Sequence, residues 1–206
     1  MIVRVDTHLE GMAEIQAVLK ESGIKRPDSV IRKAINKTAR NARKRILQGV
    51  KSDYTIKGAS AKDVRLKTAT ASRLWAEIDS AGRPLSLVTH YKYRRNTRKN
   101  AARAAVKRGA PLKRLEAVGI KGFVAVMRNG HRGIFQRVPG QYMKNHKPRR
   151  YKRNPNRLTK GKEALREFYG PSVPKLAEME YRTLEEETGR ELESALWNFI
   201  DEAFHK

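Results

Sequence analysis

The sequence predicts an α+β fold in which a small antiparallel sheet packs with N-terminal and C-terminal helices and carries long basic loops. Three observations predict this fold. Segments near both ends place apolar residues at helical spacing, short segments between them have the patterns of strands and a hairpin, and two stretches are basic without apolar periodicity. We expect a core over residues 1–175 and an acidic helical segment over residues 176–206.

The N-terminal part of the chain predicts a strand followed by two helices. Residues 2–5 alternate as a short strand does, and the next apolar residues recur at spacings of three and four. Pro27 begins a second helix, which Asp28 or Ser29 can cap and whose apolar stripe extends to Ile46. The other face of this helix is basic and carries Arg32, Lys33, Lys37, Arg40, Arg43, Lys44 and Arg45. The lack of Phe and Trp on the apolar side favours packing on a sheet over lying on a membrane surface.

The middle of the chain predicts β-structure. Residues 74–79 alternate in hydrophobicity and the alternation resumes at 85–89, which indicates two strands joined by a tight Gly-Arg-Pro connection. Further along, Asn129-Gly130 lies between two β-prone runs. This pair predicts a hairpin in which both turn positions have positive φ.

Charge is distributed unevenly along the chain. The net charge is +25; residues 89–160 hold 22 Lys and Arg against the single acid Glu116, whereas residues 176–206 hold nine acids. A surplus of this size implies an anionic partner, which is nucleic acid, an acidic protein surface or a membrane face. The acidic end, a predicted helix from about Ser172 to His205, is expected to contact a basic surface, for which the next copy of the chain is one candidate.

Two basic stretches, 91–118 and 139–161, are expected to be loops, because they lack apolar periodicity and the second contains several prolines. The first is predicted to be a mobile loop or a helix that orders on binding. The candidate contacts to DNA or to an acidic partner are the cations Lys92, Arg94, Arg95, Arg98, Lys99, Arg103, Lys107, Arg108, Arg149, Arg150, Lys152 and Arg153. Interleaved tyrosines, such as Tyr91 and Tyr93, suit stacking on bases or packing in a protein interface.

The sequence gives little support for catalysis. It has no cysteine, and its five histidines do not have metal-ligand spacing. Glu77 and Asp79 share one side of a predicted strand and suggest a metal-dependent nuclease, but a third acid or a nearby lysine at a definable spacing is missing. We predict no enzyme activity, no cofactor and no metal. No apolar run is long enough for a signal peptide or a membrane span, so we expect synthesis in the cytosol.

Four segments occur in a recognisable order. Residues 166–174 read Arg-Glu-Phe-Tyr-Gly-Pro-Ser-Val-Pro, and segments at 34–40, 82–85 and 123–135 accompany them. Together they resemble the prophage minor tail protein Z family of long-tailed phages, whose signature has Leu where this chain has Phe168. The residues that carry the resemblance most directly are Asn129, Gly130, His131, Gly133, Phe135, Tyr169, Gly170, Pro171, Ser172 and Pro174.

The resemblance implies a structural virion protein of the tail. Such a protein is assembled in the host cytoplasm and completes the head-proximal neck, so that the tail joins the head and passes DNA. The implied partners are the tail terminator protein, the head–tail connector proteins and the tail tube or tape measure protein, with the DNA end as a further contact. A homo-oligomeric ring without a membrane partner is expected. The alternative, from charge alone, is a free basic nucleic-acid-binding protein, although no signature of a known nucleic-acid-binding module is present.

Overall fold

The structure is a computed structural model and describes residues 2–5, 12–60, 62–96, 101–144, 146–150 and 161–205. The helices are α1 (Met12–Glu21), α2 (Pro27–Asp53), α3 (Leu87–His90) and α4 (Val173–Phe204). The strands are β1 (Ile2–Val5), β2 (Arg65–Lys67), β3 (Ala76–Asp79), β4 (Leu85–Ser86), β5 (Lys92–Asn96), β6 (Ala101–Ala105), β7 (Lys113–Arg114), β8 (Glu116–Ala117), β9 (Ile120–Lys121), β10 (Phe123–Val126), β11 (Arg132–Tyr142), β12 (Glu163–Glu167) and β13 (Tyr169–Gly170). Helices combined with small antiparallel sheets confirm the α+β class.

The chain forms two units. The first contains Met1–Asp53, Ala59–Arg83 and Ser172–Lys206, and the second contains Tyr54–Gly58 and Pro84–Pro171. The first unit holds α1, α2, α4 and the antiparallel sheet β1-β3-β2. The second holds α3 and the sheets β5-β6-β7, β8-β9, β10-β11-β12 and β13-β4. The C-terminal helix is therefore not the separate segment that the sequence predicted, because it packs along α2 within the first unit.

Helix α2 forms the centre of the first unit. Its buried side repeats at spacings of three and four, as the sequence predicted, and consists of Val30, Ile31, Ala34, Ile35, Thr38, Ala39, Ala42, Ile46 and Val50. Leu19 from α1 and Ile200 from α4 join the core cluster that contains Ile31 and Ile35. Burial of each large aliphatic side chain stabilises the fold by about 1.5–3 kcal/mol. The buried side of α2 thus fixes which of its residues face outward.

Helix α4 begins where the sequence predicted. The Ser172 side chain accepts a hydrogen bond from the Lys175 amide at 3.4 Å, and Pro174 occupies the first turn, where its missing N–H costs nothing. A Cβ atom on Gly82 would lie 3.1 Å from Pro174 Cδ, so the chain passes close to this turn. The helix continues through Gly189 without a break.

Part of the acidic charge of α4 is matched within the chain. Arg45 Nη1 of α2 lies 2.9 Å from Glu187 Oε1, and the Asn41 side-chain amide donates to Glu191. Both contacts join α2 to α4, so the expected basic surface for the acidic helix is partly supplied by its own unit. A contact of α4 with another copy stays a prediction.

The prediction that residues 91–118 form a loop is wrong. Strands β5, β6 and β7 pair in register over this stretch, and Ala101, Ala102, Ala104 and Ala105 of β6 are buried. Alanine has little hydrophobic contrast and low strand propensity, so the sequence pattern hid a strand whose small side chains pack closely. In the second predicted loop, β11 extends to Tyr142, and the described residues 143–144 and 146–149 lie outside helices and strands. Residues 151–160 of that loop lie outside the described residues.

The predicted strand at 85–89 is shorter than expected. Only Leu85–Ser86 is extended, as β4, and the chain then turns into the short helix α3. Strand β4 pairs with β13, and β3 belongs to a different sheet, so the two strands on either side of the Gly-Arg-Pro connection do not pair with each other. Hydrophobic alternation predicted that a strand begins at residue 85, but it contained no information about which strand pairs with it.

The predicted hairpin is confirmed, but its turn differs. Strands β10 and β11 pair with Val126 opposite Arg132. The Met127 amide donates to the His131 carbonyl at 2.7 Å, and the Gly130 amide donates to the Met127 carbonyl at 2.9 Å. These bonds define a three-residue loop in which Gly130 has a φ of +80° while Asn129 keeps a negative φ. A turn followed by one left-handed glycine replaces the two-residue Asn-Gly turn.

Candidate partner-binding site

Three exposed arginines form a row across the sheet β5-β6-β7 of the second unit. Arg94 of β5 lies directly opposite Arg103 of β6, and Arg103 lies directly opposite Arg114 of β7. All three side chains are exposed. Neighbouring strands are about 4.8 Å apart, so the row extends over about 10 Å. We call these three residues the arginine row.

The arginine row is electrostatically unfavourable in an isolated protein. Like charges directly opposite each other on neighbouring strands destabilise a sheet. The acid beside the row is Glu116, whose Oε2 lies 3.2 Å from Arg114 Nε. Arginine presents a planar group of donors that fits carboxylate and phosphate oxygens in pairs. The arrangement therefore fits an anionic partner that compensates the repulsion.

The sequence identified two of these three arginines and missed the third. Arg94 and Arg103 were candidate contacts, whereas Arg114 was not singled out, because its alignment with them depends on strand pairing. Lys92, which is also exposed, lies two residues from Arg94 and therefore points to the same face of β5. No local feature of the sequence distinguished Arg114 from the other cations of the basic stretch.

The other candidate cations are placed differently. Arg95 follows Arg94 on β5 and points to the opposite face of the sheet. Arg108 reaches the Tyr54 carbonyl at 3.5 Å, so its guanidinium also has a structural contact. Lys107 is exposed just after β6. Two further candidates, Arg149 and Arg150, are exposed outside this sheet. The remaining candidates lie outside the described residues; they are Arg98, Lys99, Lys152 and Arg153.

The two most specific motif segments meet on neighbouring strands of the second unit. Phe135 of β11 lies opposite Glu167 of β12. The Glu167 carboxylate is buried; its Oε2 lies 2.8 Å from His131 Nε2 and accepts a hydrogen bond from the Tyr169 hydroxyl at 2.8 Å. The His131 ring meets the Phe135 ring edge-on at 6.0 Å. His131 therefore orients the hairpin against β12.

The glycine at position 133 allows the hairpin to pack closely against Glu167. A Cβ atom at residue 133 would lie 2.5 Å from Glu167 Oε1 and 2.9 Å from the Phe135 ring. Neither neighbour can move away easily, because Phe135 is buried and the Glu167 carboxylate is held by two partners. The hydrogen bond that the Tyr169 hydroxyl donates to Glu167 also raises the pKa of that hydroxyl. The motif residues thus act together as one packing unit around Glu167.

Gly170 and Pro171 form a second close contact with Tyr91. A Cβ atom on Gly170 would lie 2.7 Å from Tyr91 Cδ2, and the Tyr91 hydroxyl donates to the Pro171 carbonyl. Tyr91 is only 1% exposed. Stacking of Tyr91 on a base, which the sequence suggested, is therefore wrong. Tyr93 is half-buried, and the Arg132 guanidinium lies 5.9 Å from its ring centroid.

We expect the stability of the protein to fall at alkaline pH because of Tyr91. Burial, with a smaller contribution from Tyr54, raises the pKa of Tyr91 from 10.0 to about 12. The folded state then retains a proton that the unfolded chain has already lost, so this stabilising contribution is present below pH 10 and is lost between about pH 10 and 12. Tyr91→Phe removes this titration. In denaturant melts from about pH 9 to about 12, the free energy of unfolding is expected to fall less steeply for the variant than for the wild type. Parallel declines would contradict the assignment.

Glu77 and Asp79 do not form a free carboxylate pair. Lys67 Nζ lies 2.8 Å from Glu77 Oε1, and Arg65 Nη2 lies 2.8 Å from Asp79 Oδ2, across the β2–β3 register. Each acid therefore has its own cross-strand cation. Within the described residues, no group of three or more His, Asp or Glu side chains is arranged to hold a metal ion.

None of the helices in the described residues combines the length and the apolar character that a membrane span needs.

Comparison with protein-family models, with curated proteins and with solved structures finds no significant match. The family resemblance therefore stays a prediction from the motifs.

Proposed function

We propose that this chain is a structural virion protein that completes the head-proximal end of a phage tail. In this role it acts as an adaptor between the tail terminator or tail tube and the head–tail connector, and it assists head–tail joining and DNA passage. The observation that carries the proposal is the meeting of the two motif segments, around His131 and around Tyr169, at the buried Glu167 carboxylate. Short strings that match a family by chance have no reason to pack on one another.

The arginine row supports the same proposal. A protein that joins other proteins in a neck needs exposed charged groups that a partner of opposite charge can bind. Arg94, Arg103 and Arg114 are such groups, because they repel one another until an anionic partner neutralises them. The partner is the descending DNA end or an acidic ring of neighbouring proteins. Repeated contacts of this kind between copies close into a ring if the rotation allows it.

Disruption of the gene in the phage that encodes this chain tests the proposal. Without the gene, we expect DNA-filled heads and tails of normal length that either fail to join or join into non-infectious particles. A copy of the gene on a plasmid is expected to restore infectious particles. Electron microscopy of lysates and plaque counts measure both outcomes. Normal, infectious particles without the gene product would refute the tail role.

The second candidate function is a free nucleic-acid-binding protein, which the basic charge favours on its own. The distribution of the protein in a lysate separates the two functions. Under the tail proposal the chain sediments with finished particles at a fixed copy number, whereas a free binding protein stays in the supernatant or with nucleic acid. DNA binding alone does not discriminate, since a tail protein can also bind DNA.

A further inference from the structure

We propose that the first unit carries its own binding surface for the phosphate backbone of double-stranded DNA, on the outer face of α2. This surface is separate from the arginine row and does not depend on the tail role. We call it the basic stripe, and it consists of Lys33, Lys37, Arg40, Lys44 and Lys51.

The basic stripe follows one face of the helix. Its residues are spaced by three, four or seven positions and are all exposed, and Gln48 fills the remaining position of the face. From Lys33 to Lys51 the stripe extends about 27 Å along the helix axis. The acids of α2 are Asp28 and Asp53, at its two ends, so no acid interrupts the stripe.

Helix α4 shows how the same unit builds an ordinary solvent-facing helix. There, opposite charges lie one turn apart: Glu178 Oε1 lies 2.8 Å from Arg182 Nη2, and Glu186 Oε2 lies 3.4 Å from Arg190 Nη2. On the basic stripe the residues one turn apart carry like charges, as at Arg40 and Lys44. Such pairs destabilise a helix by a few tenths of a kcal/mol each, whereas the pairs of α4 stabilise it by about as much. Solubility alone does not require this difference.

A groove beside the stripe adds a fixed cation. Arg43 Nε donates to the Val64 carbonyl at 2.7 Å, which holds its guanidinium next to Arg40. Arg65 and Lys67 of β2 line the same groove, but each is bonded to a carboxylate of β3. The net positive charge of the groove therefore comes from α2. From Arg40 and Arg43 a second groove follows the helix toward Lys51.

The stripe fits DNA better than an acidic protein or a membrane. Protein interfaces depend on buried aromatic or aliphatic anchors, and a membrane-surface helix inserts apolar side chains. None of the exposed large hydrophobic side chains in the described part of the chain lies on α2. A phosphate backbone needs only cations, and duplex DNA presents one charge per about 1.7 Å of its axis. A straight row of exposed cations without an apolar anchor matches that ligand.

Salt-dependent binding of a short fluorescent DNA duplex to the purified full chain tests the proposal. The variant Lys33→Gln, Arg40→Gln, Lys44→Gln removes three charges of the basic stripe. The helix is expected to be preserved, because glutamine is nearly as good a helix former as lysine and arginine. Each lost phosphate contact lowers the slope of log K against log salt by about 0.9, so we expect a slope smaller by about 2.7. Its melting temperature is expected to stay unchanged or rise, because like-charge pairs are relieved.

The matched control is Lys175→Gln, Arg182→Gln, Arg190→Gln on α4, which has the same change in net charge within the same unit. It is expected to keep nearly the wild-type slope. Equal slopes for both variants, or no loss in the stripe variant, would overturn the proposal. A polyglutamate competitor that displaces the chain as well as an unlabelled duplex of equal charge would also overturn it, because the surface would then bind acidic polymers in general.

Discussion

Gly170→Ala is expected to reduce the free energy of unfolding by about 3 kcal/mol, at the upper end for an overpacked core position. The added methyl group would lie 2.7 Å from Tyr91 Cδ2 and 3.0 Å from Tyr91 Cζ. The ring cannot retreat, because it is fully buried and its hydroxyl is bonded to the Pro171 carbonyl. For a chain of this length the loss corresponds to a melting temperature lower by about 6–12 °C, which calorimetry measures.

Gly189→Ala provides the control for this substitution. Gly189 lies inside α4, and apart from its chain neighbours and the adjacent helix backbone no atom lies within 4 Å of the position of an added Cβ. Alanine is the better helix former by about 1 kcal/mol, so this variant is expected to melt at the same temperature or higher. If Gly170→Ala were as stable as Gly189→Ala, close packing against Tyr91 would not be the reason for glycine at 170.

Arg103→Glu is expected to abolish tail completion while leaving the fold at least as stable. The new carboxylate would stand between Arg94 and Arg114, and replacing like-charge cross-strand pairs by opposite-charge pairs contributes about 0.2–1 kcal/mol each. The arginine row would lose its continuous positive charge and its affinity for an anionic partner. Plaque formation on cells that supply the variant to a gene-disrupted phage is expected to fall to the level of the empty plasmid.

Two variants control for this result. Arg103→Lys keeps the charge and is expected to restore plaques in large part, although it loses the paired donors of arginine. Lys25→Glu makes the same change in net charge at an exposed position of the first unit and is expected to complement fully. Full complementation by Arg103→Glu would show that the arginine row has no part in assembly.

The sequence predicted those elements whose hydrophobic contrast is strong. The buried apolar face of α2 from Val30 to Ile46 follows from residue spacing, and the start of α4 at Ser172 follows from capping chemistry. The hairpin at Asn129-Gly130 was also predicted, because few residues other than glycine accept a left-handed conformation. Its turn type was not, since it depends on which backbone groups pair across β10 and β11.

The candidate site was less accessible to sequence reasoning. Strand β6 reads Ala-Ala-Arg-Ala-Ala, and alanine signals neither strand nor core, so the sheet that aligns Arg103 with its neighbours remained hidden. The contact of His131 with Glu167 joins residues 36 positions apart, and only the pairing of β11 with β12 brings them together. Registers between strands are set by tertiary packing and not by local pattern.

A density map of the head–tail junction of purified particles tests the central proposal most directly. We predict that copies of this chain occupy the head-proximal end of the tail, between the tail terminator and the connector, with Arg94, Arg103 and Arg114 facing DNA or an acidic neighbour. Density for the chain elsewhere in the particle, or particles that lack it, would contradict the proposal.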